Sequence, residues 1–180
     1  MAARLAAIAD SSILDADRHD WLGLVLSAAL PLAVFIIVHG IGQVTGVTPL
    51  FFAPFGVPGW VGASLHLMSL PLFGIARWMV VDRGRDGQLA GWWVAGLIAG
   101  VIAFPFIVMP LDTLALSIVS VALVVLALGT MGRVAKVNPR AALVMAPGLV
   151  WMGVSAFVGM AFAGGWSPPF ALANGQSAAA

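Results

Sequence analysis

Four side chains with chemistry to offer stand inside or at the edge of long apolar runs: His39, His66, Asp112 and Trp151. A neutral imidazole can ligate a metalloporphyrin or hydrogen-bond a ligand's carboxylate, and an ionisable group within a membrane span is a functional hypothesis by default. His66 therefore reads as a pocket contact and a candidate axial ligand for haem iron. His39 reads as a pocket contact or an interfacial hydrogen bond. Each histidine is alone on its run, with no second ligand at i+4, so a metal site built by the protein alone is not expected. Trp151 lies about ten residues into the last run, ~15 Å deep at ~1.5 Å per residue. At that depth its N–H needs a partner in the protein or on a ligand. Pro147 is one turn earlier, and a flat aromatic beside a proline kink suits a pocket for an apolar ligand. The alternative is a packing tryptophan bonded to a carbonyl that the proline frees. Asp112 precedes Thr113 and reads as a helix N-cap.

Nothing points to catalysis by the chain's own side chains. There is no GxSxG, no HExxH, no phosphate loop and no carboxylate pair within an apolar run. With no cysteine, thiolate catalysis, thiolate metal sites and disulfides are excluded. No cofactor is required on this reading. A net charge of +1 gives no reason to expect nucleic acid as a partner.

The elements that hold these residues are membrane spans. Hydrophobic residues make up 62% of the 180 and charged residues 8%, against roughly a quarter charged in a soluble domain; the mean hydropathy is +1.08. Five apolar runs, at 21–45, 58–80, 89–109, 112–132 and 141–164, each approach the ~20 residues a helix needs to cross ~30 Å of hydrocarbon. A helix satisfies its backbone internally, which an isolated strand in lipid does not. The expected fold class is an all-α membrane protein, a five-transmembrane-helix bundle over 21–164, with an N-terminal segment 1–20 and a C-terminal tail 165–180. The opening twenty residues lack the cationic segment set directly before a short apolar stretch that marks a secretory signal.

All eight cations fall on one side of this arrangement. Arg4 and Arg18 precede the first run, Arg77, Arg83 and Arg85 close the second, and Arg133, Lys136 and Arg140 sit between the fourth and fifth. That bias places the N-terminus in the cytoplasm and the C-terminus outside, in a multi-pass protein read as belonging to a bacterial inner membrane. The connection from Gly46 to Gly59 is uncharged and carries Pro49, Pro54 and Pro58 with Phe51, Phe52 and Phe55. It reads as a lid folded back on the protein or the lipid surface. Pro31, Pro71 and Pro147 sit within runs and Pro105 near the end of the third, where each removes a backbone donor. Gly42 with Gly46, Gly96 with Gly100, and Ser155 with Gly159 and Ala163 are spaced for close helix contact. Internal packing is the first reading of these faces and a homodimer seam the second. Of seven tryptophans, Trp21, Trp78, Trp92, Trp93, Trp60 and Trp166 fall at interface levels, where indoles anchor; Trp60, next to the lid, reads instead as a pocket wall.

These residues resemble the TspO/MBR family (tryptophan-rich sensory protein / translocator protein), over about residues 22–164. Pro58-Gly59-Trp60-Val61 is similar to the family's Pro-x-Trp-Val at the start of its second helix. Ala103-Phe104-Pro105-Phe106 resembles Trp-x-Pro-x-Phe, and Pro147-Gly148-Leu149-Val150-Trp151 resembles Pro-Tyr-Leu-x-Trp. The resemblance implies five helices, a proline-rich loop after the first, and binding of porphyrins, other flat apolar ligands or, in some members, sterols. It carries Trp60, Pro105, Pro147 and Trp151 into the site, with His66 standing where the family has Trp. Gly148 replaces the motif's Tyr, and Gly100 and Gly159 fall where Asn is expected. These changes point to a larger, drier or differently selective pocket.

The expected function is membrane binding of a flat apolar ligand, a tetrapyrrole (porphyrin or haem) first, in sensing, transport or handling. Trp151 and Trp60 would form aromatic walls, His66 and His39 polar contacts, and Phe51, Phe52 and Phe55 the cover. The partners are then the hydrophobic ligand, the lipid bilayer and a second copy through the glycine faces. The alternatives are a structural subunit of a larger membrane complex and a carrier of a carotenoid or sterol-like lipid. Family links to porphyrin breakdown leave weak degradative chemistry open.

Overall fold

A computed structural model describes residues 21–47 and 58–166. Five helices account for nearly all of them: α1 Trp21–Val44, α2 Gly59–Val80, α3 Gly84–Ile107, α4 Thr113–Val137 and α5 Pro139–Trp166. Each is long and apolar enough to cross a membrane, so the five-helix membrane bundle expected from the sequence is the fold. The N-terminal segment 1–20, the lid residues Phe51, Phe52 and Phe55, and the tail beyond Trp166 lie outside the described residues.

Two helices run further than the apolar runs suggest. The third begins at Gly84 and takes in Arg85, Asp86 and Gln88, and the fourth continues through Arg133 and Lys136 to Val137. Arg, Lys and Gln are good helix formers, and a polar turn outside the hydrocarbon extends a span at no desolvation cost. Asp86 in the first turn of α3 and Lys136 in the last turn of α4 also suit the helix dipole. The hairpin turns shrink accordingly. Gly84 takes φ +67° at the α2–α3 turn, and a Cβ on Gly87 would strike the carbonyl of Val80. Between α4 and α5, the Asn138 side chain accepts from the amide of Arg140 (3.1 Å) and donates to the carbonyl of Met79 (3.4 Å), while Pro139 opens α5, where its missing N–H is not needed. Asp112 caps α4 through the amide of Ala115 at 2.7 Å, as its spacing predicts.

The α1 terminus is a Schellman turn. Val47 N–H bonds the carbonyl of Gly42 (2.8 Å), Gly46 N–H that of Gln43 (3.3 Å), and Gly46 takes φ +78°. Gly46 is thus a turn residue rather than half of a packing pair with Gly42. The core runs through α2, which touches α1, α3 and α5, while α4 and α5 pack along their lengths. Leu70, Phe73, Val94, Leu97, Val134 and Met145 are fully buried in it. On α4 the buried stripe is small and polar, with Ser117, Ser120 and Thr130 bonding back to carbonyls one turn earlier. Such side chains let helix backbones approach in lipid. Helix α1 leans on α2 and scarcely meets α3.

Candidate functional site

The site is built at the end of the bundle from which the 48–57 connection departs. Proline sets its geometry. Pro105 lies within α3 and has no N–H to give the carbonyl of Val101, four residues back. His66 supplies the donor: its Nε2 lies 3.0 Å from the Val101 oxygen, which fixes the proton on that nitrogen. The family position occupied here by a histidine therefore ties α2 to α3. His66 also anchors its own helix, since its carbonyl accepts from the Ser69 hydroxyl at 2.6 Å.

His39 faces the same region from α1. Its Nδ1 donates to the carbonyl of Phe35 at 3.1 Å, and its ring stacks on Phe35 with centroids 3.7 Å apart. Phe106 meets His39 edge-on at 4.8 Å. That approach requires Gly42, because a Cβ there would stand 2.8 Å from the Phe106 ring. Phe35 lies 6.2 Å from His66. Two imidazoles and two phenyl rings from α1, α2 and α3 thus form one layer about 10 Å below the start of α2, at ~1.5 Å per residue from Gly59 to His66. Among the described residues no three metal-ligating side chains gather.

Trp151 stands at the height of this layer on α5. Gly148 sits against Ser69 and Phe73 of α2; one turn further along each antiparallel helix brings Trp151 level with His66. Trp151 is half-buried. Pro105 is fully buried. Pro147 is on the outward face of α5, and Trp60 is 70% exposed at the first turn of α2. The structure therefore brings His39, His66, Pro105 and Trp151 to one level and leaves Trp60 and Pro147 at the periphery. Phe35 and Phe106 are site residues the sequence reading missed. Phe35 was visible as the i−4 neighbour of His39, a spacing that puts two rings on one face.

The three glycines that replace larger family residues differ in the space they leave. A Cβ on Gly148 would stand 2.7 Å from the Phe73 ring, one on Gly100 3.1 Å from Leu123, and one on Gly159 3.6 Å from the Ser117 hydroxyl. At Gly148 the Phe73 ring fills the place of a larger side chain, at Gly100 the end of Leu123 crowds it, and at Gly159 a Cβ would make only ordinary contact. A separate groove of about 700 Å³ opens between α1 and α3 toward the other end of the bundle.

The TspO/MBR family model matches residues 25–163. The chain belongs to the TspO/MBR family. No curated protein and no solved structure gives a significant match. Membership fixes the broad role as a membrane protein of the binding, transport or sensing kind.

Proposed function

We propose that the protein binds a flat apolar ligand, a tetrapyrrole first, against the aromatic–imidazole layer at the loop end of the bundle, for sensing, transport or handling rather than turnover. The observation that carries this reading is the layer itself, with Phe35, His39 and Phe106 in ring contact and His66 beside them. The half-buried rings of His39 and Phe106 offer stacking area with buried Phe35 behind them, and the imidazoles add polar contacts for a ligand's acid groups. Trp151, at the same height on α5, would add an aromatic wall, and Trp60 with Phe51, Phe52 and Phe55 would close over it. An axial bond through His66 Nε2 would take that nitrogen off the Val101 carbonyl, so we favour contact with the macrocycle over ligation of its metal. On this reading the protein sits in a bacterial inner membrane, and the cation bias supports an orientation with this end of the bundle, and the C-terminus, outside the cytoplasm.

One rival draws on a specific observation. The close packing at Gly148, where the Phe73 ring holds the space, suits a structural subunit of a larger membrane complex. A titration separates the two. Detergent-purified protein is mixed with protoporphyrin IX or haem while tryptophan quenching and the Soret band are followed, with Trp151→Ala in parallel. Saturable micromolar binding that weakens in Trp151→Ala is expected. Absence of saturation with either tetrapyrrole refutes the binding reading in favour of the subunit.

A further inference from the structure

The groove between α1 and α3 is chemically lopsided. Its walls are apolar, with Leu26, Leu30 and Val34 on α1 facing Ile98 and Ala99 on α3. Among the described residues lining it, Arg77 alone is charged. The Nε of Arg77 is closed off from solvent and makes no hydrogen bond. A charged group half-removed from water without a partner is costly, and one that lines an open apolar groove invites an anionic partner with an apolar body.

The groove exists because of local sequence. Pro31 cannot donate to the carbonyl of Ser27, and that carbonyl lies against Gly74 so closely that a Cβ there would collide with it. The contact seats α1 on α2. Small residues, Ala29 and Ala33 on α1 with Ala95 and Ala99 on α3, then leave the space in front of α2 unfilled. Since α1 scarcely touches α3, the groove opens sideways to lipid.

We propose that this groove binds an anionic phospholipid of the adjacent leaflet, with its phosphate on the Arg77 guanidinium and one acyl chain along α1 and α3. Arg77 stands three residues before the end of α2, about 5 Å from it, which is headgroup level. From Leu26 to Val34 the groove follows eight residues of α1, about 12 Å, close to the ~15 Å of hydrocarbon in one leaflet, half of ~30 Å. The guanidinium fork matches phosphate oxygens. Arg83, Arg133 and Lys136 lie at the same end of the bundle and favour an anionic head there. This site is separate from the aromatic–imidazole layer and stands whether or not that layer binds a tetrapyrrole.

Native mass spectrometry of the detergent-purified full chain tests the proposal, with phosphatidylglycerol, phosphatidylcholine of the same acyl chains and inorganic phosphate as probes. One phosphatidylglycerol is expected to bind at saturation, at least about tenfold tighter than phosphatidylcholine, the scale of one charge-assisted pair. Arg77→Gln should abolish that preference and Arg77→Lys retain part of it. Ala99→Leu, which fills the groove from its lipid-facing side, should weaken both lipids while leaving the helical circular dichroism intact. Arg83→Gln, outside the groove lining, should keep the phosphatidylglycerol preference, and phosphate alone should not saturate. Equal binding of the two lipids, or an undiminished preference in Arg77→Gln, overturns the proposal. So does tighter lipid binding after Asp10, Asp15, Asp17 and Asp20 are changed to Asn with Arg77→Gln silent, which would make the acidic opening segment the occupant.

Discussion

His66 answers a backbone defect that Pro105 creates, and this gives the residue a structural part beside any contact with ligand. Breaking the 3.0 Å bond to Val101 leaves a carbonyl unpaired where water is scarce, at a cost of about 1–3 kcal/mol. His66→Ala should therefore lower the unfolding midpoint in detergent, and His66→Gln, which keeps an N–H donor, should lose less. Equal midpoints for His66→Ala and the parent protein would show that Val101 finds another donor. The freed carbonyl was legible in the sequence, because proline always orphans the residue four before it. Its partner was not, because His66 and Val101 are 35 positions apart and only the packing of α2 on α3 joins them.

At the scale of helices, glycines that look alike do opposite work. Gly74 lets α2 approach the Ser27 carbonyl, whereas Gly96 has nothing within 4 Å and faces outward. Gly74→Ala should destabilise by about 1–3 kcal/mol through overpacking, and Gly96→Ala should be neutral or stabilising by up to about 1 kcal/mol through helix propensity. Thermal unfolding of the two variants side by side checks this, and similar losses would contradict the assigned contacts. Gly148 offers a sharper case. Gly148→Tyr restores the residue of the family motif, yet the Phe73 ring holds that space. The single variant should fold poorly, and adding Phe73→Ala should recover stability, a coupling of about 0.5–3 kcal/mol. Additive losses would mean that the two positions do not share one space. Spacing alone could pair Gly96 with Gly100, but which glycine meets a neighbour depends on helix rotation. Gly100 turns to Leu123 of α4 while Gly96 turns to lipid.

For the whole molecule, span number and the family were readable because hydrophobic length and the Pro147-to-Trp151 motif are local signals. The helical extensions through Arg85–Gln88 and Arg133–Val137 were hidden because hydropathy registers the hydrocarbon and not the helix. The groove between α1 and α3 was hidden too, since it comes from a missing contact. The ends of the bundle are chemically distinct: Arg133 lies 4.5 Å over the Trp93 ring at one, and the His39 layer lies toward the other. The cation bias predicts that this first end is cytoplasmic. A C-terminal alkaline phosphatase fusion should be active and a C-terminal green fluorescent protein fusion dark. The reverse pattern would invert the topology and move the aromatic–imidazole layer to the cytoplasmic leaflet.

The most direct test of the central claim is where a tetrapyrrole binds. Protoporphyrin IX affinity, read by tryptophan quenching, should fall at least about tenfold in His39→Ala and Phe106→Ala, the scale of losing an aromatic contact together with a polar one. It should stay unchanged in Arg77→Gln, at the other end of the bundle. Loss of affinity in Arg77→Gln with His39→Ala and Phe106→Ala unaffected would contradict the account and move the ligand into the groove between α1 and α3.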